Sequence, residues 1–412
     1  MPTCAASLPA LQALLSEVSA HNPFYGRKFT SVGDSAKPAS LDDFRRRFPF
    51  TTKAELVADQ LANPPFGTNL TCPLPTYTRC HQTSGTTGLP LRWLDTADSW
   101  NVMVRDWAEV LRRAGLIAGD RILFAFSFGP FLGFWLAFEA AQQLGCLCFA
   151  GGGMSSAQRA RVLVENGCTV LCCTPTYALH LAEVLQREKL DRSRSRVRIL
   201  IVAGEPGGSL PTTRQGLSDA WNGARIFDHH GMTEVGPVTY EHPQSPHHLV
   251  LLERSFFAEI IHPITTKPVQ PGEPGELVLT TLLRIASPVI RYRTGDLVVR
   301  ATEGSVEEEG TVFQGGILGR LDDMLIIRGV NIYPSAIDDH IGTVVGSAEY
   351  RVTCNRTQAL HELSIEIEAD ATGARRLEER LQTSLGLRVP VTPVLPGSLP
   401  RFELKARRWR NV

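Results

Sequence analysis

Residues 83–90 read TSGTTGLP, two glycines set among hydroxyl side chains. Such a segment suits a loop whose backbone N–H groups and hydroxyls wrap a polyphosphate. Gly85 and Gly88 let the backbone approach closely, while Ser84, Thr86 and Thr87 offer donors. It is not the GxxxxGK[ST] loop of many nucleotide-binding proteins, because Leu89 follows Gly88. A surface turn rich in small residues has the same composition, and this segment alone does not separate the two.

Four further segments bring charge. Residues 228–237 read DHHGMTEVGP, where Glu234 suits a Mg²⁺ riding on a nucleotide. RYRTGD ends at Asp296, a carboxylate suited to accept two ribose hydroxyls. GRLDDMLIIRGVNIYP, residues 319–334, opens with Arg320 and Asp322 at an expected domain junction. Near the end, LPRFELKARR places Lys405 in a polar segment. Each alone reads equally as a turn, an ion pair or a cap, and Lys405 as one more cation beside Arg401, Arg407 and Arg408. All of them in this order are hard to obtain by chance.

These residues need elements to hold them. LPALQALLSEV repeats leucine at helical spacing. From about Arg121, RILFAF, CLCFA, TVLCCT and VRILIVAG read as strands. Between them lie the helical stretches PFLGFWLAFEAAQQLG, SSAQRARVLVENG and TYALHLAEVLQREKL. Continuous apolar strands separated by helices of 10–15 residues imply a parallel sheet covered on both faces. After about His229 the texture turns to GELVLTTL, PVIRYR and DLVVRA, three β-type segments of a smaller antiparallel or barrel-like sheet. From Asp322 a compact α+β unit follows. The expected division is an N-terminal domain, 1–321, and a C-terminal domain, 322–412.

The chain has 412 residues, enough for two to four domains, and its 42 basic residues balance its 42 acidic ones. A neutral chain gives no reason to expect a nucleic-acid partner. Ile122–Phe138 is the longest uncharged apolar run, but Gly129, Pro130 and Gly133 break it before it could span a bilayer. A strand, a loop and a buried helix fit it better. The nine cysteines include no CxxC pair, with Cys172 next to Cys173 and Cys146 one residue from Cys148. Free thiols in a reducing compartment, and a cytoplasmic, membrane-free protein, are the expectation.

The set resembles the adenylate-forming superfamily of acyl-CoA synthetases, adenylation domains and luciferases. Within it the chain is most similar to phenylacetate-CoA ligase-type aryl-CoA ligases. The markers are His81 ahead of the Gly-rich loop, CTPTYA at 173–178, GEP at 204–206 and residues 319–334. They run from FYGRKF near residue 25 to Lys405, nearly the whole chain.

The resemblance implies an α/β protein. Its large N-terminal domain would hold parallel sheets and a small barrel-like part, and its small α+β C-terminal domain would move. It implies a carboxylate attacking the α-phosphate of ATP to give an acyl-adenylate and pyrophosphate, then the CoA thiol releasing AMP. Ser84, Gly85, Thr86, Thr87 and Gly88 would hold the β- and γ-phosphates. Gly204, Glu205 and Pro206 would lie along the adenine. Asp228, His229, His230, Gly231 and Met232 would form the stretch that meets adenine and acyl group. Thr233 would contact the α-phosphate, Glu234 would bind Mg²⁺, and Asp296 and Arg320 would contact the ribose. Lys405 would bridge the acid and the α-phosphate, supplying positive charge where two anions meet. Asp322 would be the hinge, and Gly329 would line the pantetheine tunnel once the small domain has rotated. A homodimer is a family-level expectation.

Two positions depart from the family. Leu89 stands where the loop usually carries Lys, which implies weaker ATP binding rather than inactivity. His230 stands where the motif usually has Tyr, and imidazole can also stack on adenine.

Phe124, Phe126, Phe128, Phe131, Phe134 and Trp135 lie where this subgroup builds part of its acyl pocket, with Phe126, Phe128 and Phe131 the preferred lining. An aromatic acid such as phenylacetate or a substituted benzoate is the natural guest. At least half of these rings read equally as core, and His229 would add a polar contact to a ring substituent. His242, His247 and His248 have near-ligand spacing without a cysteine, and a solvated His-rich loop is the simpler reading. Two other functions stay open: loading a carrier protein in trans, and a non-catalytic nucleotide-binding regulator.

Overall fold

The computed structural model describes residues 4–32, 37–83, 90–190, 194–205, 207–302, 310–323, 325–327, 330–346, 348–355, 362–402 and 408–411. The chain forms two compact units. One comprises Met1–Asp120, Ser127–Cys148 and His229–Gly316, the other Arg121–Phe126, Phe149–Asp228 and Ile317–Val412.

The second unit contains the expected parallel sheet. Its strand order is Leu147–Ala150, Arg121–Phe124, Val170–Cys173, Ile199–Val202 and Arg225–Asp228. The last four pair in parallel. Val170–Cys173 and Ile199–Val202 are buried at every position, the pattern that a sheet covered on both faces imposes. Leu163, Leu181 and Leu217, from the helices Ser156–Glu165, Pro175–Arg187 and Pro211–Ala220, close its core with Leu171, Leu200 and Ile226. Thr174 caps Pro175–Arg187 by accepting the Tyr177 amide, with Pro175 at the first helical position.

The same unit holds a second core. The strands Val391–Pro393, Glu362–Ile367, Tyr350–Asn355 and Trp409–Asn411 lie side by side in that order. Val352 and Ile365 of this sheet pack with Ile337, Ile341, Leu377 and Leu381 from the helices Pro334–Val345 and Ala371–Leu385.

In the first unit, the helix Cys4–His21 buries Leu11, Leu14, Leu15 and Val18, spaced to share one face. A hairpin, Tyr77–Gln82 with Arg92–Thr96, flanks the Gly-rich segment. Thr96 then caps the helix Ala97–Arg113, which buries Trp100, Met103, Val104, Trp107 and Leu111. Phe256–Ile261, Pro274–Thr281 and Tyr292–Val299 pair antiparallel.

Here the expectation of separate strands at PVIRYR and DLVVRA is corrected. One strand runs from Tyr292 to Val299, and Pro288–Arg291 lies outside it. The cause is Arg291. Its backbone is left-handed at φ 47°, and its buried guanidinium donates to both Glu259 oxygens at 2.7 and 2.9 Å and to the Phe48 carbonyl at 2.6 Å. Those bonds hold the turn. Among the described residues, no helix is long and apolar enough to cross a membrane.

Candidate active site

In the first unit the stretch after Asp228 folds into a very short hairpin. Gly231 pairs with Pro237 and Met232 with Gly236, so Thr233 and Glu234 stand at its tip. The turn needs its glycines: Gly236 has φ 91°, and a Cβ on it would meet the Met103 sulfur at 2.8 Å. Glu234 is buried, and its Oε1 accepts from the Tyr292 hydroxyl at 3.3 Å. Lys53 Nζ lies 3.3 Å from the same oxygen. The Thr233 carbonyl accepts from Arg284 Nη1 at 3.0 Å.

Asp296 sits in an irregularity of its strand. The pairs Glu276↔Leu297 and Val278↔Arg293 leave three residues opposite Leu277, and Gly295 takes φ 77°. Such a bulge turns a side chain away from the ladder, a common arrangement next to active sites. Asp296 is buried, with His230 Nε2 3.1 Å from its Oδ2. That distance permits Coulombic attraction, but the angles are not those of a hydrogen bond, and His230 Nε2 has no hydrogen-bond partner among the described residues. The His230 amide donates to Thr239 Oγ1 at 3.0 Å.

His229 is deeply buried, its ring edge-on to Trp107 at 4.2 Å between centroids. Burial, seconded by its neighbour His230, lowers its pKa to about 3, so it is neutral at physiological pH. Its Nδ1 has no hydrogen-bond partner among the described residues. His81 stacks on Trp100 with rings 9° from parallel, and burial lowers its pKa too.

In the second unit, Gly204 is exposed with φ 91°. Glu205 accepts from the Thr176 amide at 2.8 Å and from the Thr176 hydroxyl, so the GEP and CTPTYA segments meet at the start of one helix. Asp228, buried, accepts from Ser209 Oγ at 2.5 Å, and its carboxyl occupies the space where a Cβ on Gly208 would stand. Arg320 grips Asp322 through Nε–Oδ1 at 2.8 Å and Nη2–Oδ2 at 3.2 Å. Both are partly exposed.

The aromatic stretch divides. Phe124 is fully buried in the parallel sheet, and Phe126 is also buried in that unit. In the first unit Phe128 packs edge-on to Trp135 and Phe138 at 5.2 and 5.6 Å, and Phe131 meets Phe134 at 6.2 Å. Phe128 is left-handed at φ 59°.

The solvated reading of the histidine loop is corrected at His242 alone, since His247 and His248 are half-buried. His242 has no exposed surface, and its Nδ1 accepts from the Gln244 and Ser245 amides. These donors tighten the turn and draw the ring inside. Ser84–Leu89, Pro206, Gly329 and Lys405 lie outside the described residues.

Sequence reasoning missed Lys53, Tyr292, Arg284, Asp95 and Ser209. Lys53 carried only an indirect signal, a capping box of Thr52 and Glu55 that starts its helix. Tyr292 lay inside RYRTGD without a role of its own, and Arg284, Asp95 and Ser209 carried no signal, since their partners lie well away in the chain.

The donor set around Glu234 is one buried carboxylate. Among the described residues no cluster of three or more His, Cys, Asp or Glu could hold a metal. That fits Mg²⁺, which keeps several waters and is held by one or two carboxylates together with substrate phosphates.

Residues 81–282 match the AMP-binding enzyme family and residues 329–411 match the AMP-binding enzyme C-terminal domain. The chain is 33% identical to the phenylacetate-coenzyme A ligase of Escherichia coli (strain K12), over all of this chain and 98% of that one. It is 30% identical to the phenylacetate-coenzyme A ligase of Pseudomonas putida, over 93% of this chain and 88% of that one. Among solved structures it superposes on a 2-hydroxyisobutyryl-CoA ligase in complex with 2-HIB-AMP with a TM-score of 0.92 at 31% identity, covering 99% of this chain and 89% of that one.

The class is thereby defined: an AMP-forming ligase that joins an acid to CoA through an acyl-adenylate, using ATP, Mg²⁺ and CoA. Within that class the chain belongs to the phenylacetate-coenzyme A ligase family of adenylate-forming enzymes.

Proposed function

We propose that the acid is a small aromatic one, of the phenylacetate or substituted-benzoate class, and that free CoA is the acceptor. The observation that carries this is Phe128. A bulky residue with positive φ is an uncommon, strained conformation, and such strain collects at ligand sites where the surroundings over-determine it. Phe128 is held there in a cluster of rings with Trp135 and Phe138. Aromatic walls favour aromatic guests through offset stacking and apolar burial. The names of the curated relatives point the same way.

In this reading the Gly-rich segment holds the outer phosphates. Thr233 meets the α-phosphate, Glu234 holds the Mg²⁺ that offsets the phosphate charge, and Asp296 accepts the ribose hydroxyls. Gly204, Glu205, Pro206 and the stretch Asp228–Met232 form the adenine surround. Residues from Asp322 onward act as a mobile lid. It presents Lys405 for adenylation and then the Gly329 segment for thioester formation. Arg320 contacts the ribose from its bidentate hold on Asp322, the hinge.

A second reading, a small 2-hydroxy acid, is favoured by the solved 2-hydroxyisobutyryl-CoA ligase. The buried, neutral His229, with Nδ1 unpartnered among the described residues, would suit a hydroxyl donor.

The test is ATP–pyrophosphate exchange against phenylacetates, benzoates, 2-hydroxy acids and fatty acids, repeated with CoA for every acid that exchanges. Exchange with aromatic acids plus CoA-dependent AMP release supports the proposal. Exchange confined to 2-hydroxy acids replaces the aromatic reading with the second one. Exchange without thioester formation moves the acceptor to a carrier protein. In the same assay Lys405→Ala is expected to abolish exchange but to keep thioester formation from supplied acyl-adenylate.

A further inference from the structure

The most completely buried ion pair described in the first unit lies outside the residues given roles above. Arg284 and Asp95 have 2% and 0% of their side chains exposed. Arg284 Nε donates to Asp95 Oδ1 at 2.8 Å and Nη2 to Oδ2 at 2.6 Å. The remaining arm, Nη1, donates to the carbonyl of Thr233 at 3.0 Å. All three guanidinium nitrogens are thus engaged within the protein.

The two ends of this bridge matter. Asp95 is on Arg92–Thr96, the outgoing strand of the hairpin whose connection is the Gly-rich segment. That connection is closed at its base, where the Thr83 amide donates to the Leu91 carbonyl and the Leu91 amide to Thr83 Oγ1, both at 3.0 Å. The same strand is fastened again to the Arg284 segment, since Trp93 Nε1 donates to the Ser287 carbonyl at 3.2 Å. The other end, Thr233, stands beside Glu234 at the tip of the Gly231–Pro237 hairpin. One guanidinium, 189 residues from Asp95 and 51 from Thr233 in sequence, thus joins the two.

Stability alone does not explain such a pair. A buried ion pair roughly breaks even against apolar residues of similar volume, because desolvation offsets the Coulombic gain. What it does supply is direction, since a planar fork bound at three corners has one orientation.

We infer that Arg284, oriented by Asp95, is a positioning residue for adenylation. It sets the Thr233–Glu234 tip at a fixed distance from the hairpin that carries the Gly-rich segment, and so aligns the α-phosphate with the outer phosphates. This rests on the roles proposed for Thr233 and the Gly-rich segment. CoA transfer acts after pyrophosphate has left and does not need that alignment.

The test is the double substitution Asp95→Leu with Arg284→Met, which keeps volume and removes both charges together. Arg284→Lys, which retains charge without the fork, accompanies it. A misplacement of ~1 Å typically costs about 10²-fold in rate. We expect pyrophosphate exchange by the double variant to lose about that factor in kcat, with KM for ATP within about threefold. Its melting temperature and its conversion of supplied acyl-adenylate and CoA to thioester should stay near wild type. Arg284→Lys should fall between the two. Wild-type exchange by the double variant would overturn the inference. So would parallel loss of exchange, thioester formation and melting temperature, the mark of a merely structural pair. If the wild-type enzyme adenylates normally after Thr233→Ala, the role of Thr233 fails and this inference falls with it, a result the double variant alone does not produce.

Discussion

His230 Nε2 lies 3.1 Å from Asp296 Oδ2, so the residue that departs from the family's usual tyrosine is set against the carboxylate proposed to read the ribose. A tyrosine at this place would bring no basic nitrogen. The motif itself thus supplies Asp296 with a close basic neighbour.

His230→Phe keeps a flat ring and removes the nitrogen. The contact lacks hydrogen-bond geometry, so its loss should cost no more than the ~1 kcal/mol of an ordinary hydrogen bond. KM for ATP should therefore rise by up to about fivefold with kcat little changed. Steady-state exchange kinetics check this, and a fall in kcat at constant KM would assign the imidazole to the transition state instead.

Asp228 occupies the space above Gly208, and Ser209 donates to the same carboxyl group. Gly208→Ala must push the carboxylate away or move the strand end. A cost of about 1–3 kcal/mol is expected from overpacking of this kind, read by denaturant unfolding. Gly133→Ala is the control. It lies in a helix with nothing near its missing Cβ and should be neutral or stabilising by ~0.5–1 kcal/mol.

His229 gives a pH signature. Burial takes its folded pKa down to about 3, below the ~6.5 of an unfolded chain. The unfolded state therefore takes up a proton that the folded state refuses. The contribution is fully present above about pH 7 and is lost as pH falls from ~6.5 toward 3, at up to ~1.4 kcal/mol per pH unit. His229→Leu removes that term. Its stability relative to wild type should improve steadily below ~pH 6.5 and be flat above it, as measured by urea unfolding across pH. A difference independent of pH would show that the ring is not held neutral.

The parallel sheet was legible because its strands, such as Val170–Cys173 and Ile199–Val202, are buried on both faces and so carry no polar alternation. The helix Cys4–His21 was legible through its leucine spacing. The break before Tyr292 was not, because it depends on Arg291 finding Glu259 and the Phe48 carbonyl, contacts that local pattern does not encode. The Gly231–Pro237 hairpin escaped notice for a different reason: its strands are two residues long, too short for any periodicity. In the candidate site, charged residues inside distinctive motifs, such as Glu234 and Asp296, stood out. Their supports did not. Arg284 and Asp95 read as ordinary surface charges until the fold brings them together.

That hairpin also bears on how the nucleotide arrives. Its two ladder pairs bracket the three-residue tip that carries Thr233 and Glu234, so the residues proposed for the α-phosphate and for Mg²⁺ act together as one gauge. A gauge accepts a part already assembled to size. ATP carrying its metal matches it, whereas metal-free ATP brings its phosphates against the Glu234 carboxylate, whose counter-charge is then Lys53, 3.3 Å from Oε1. On the proposed roles the substrate is the metal–nucleotide complex, and ATP in excess over Mg²⁺ is expected to compete for the same seat.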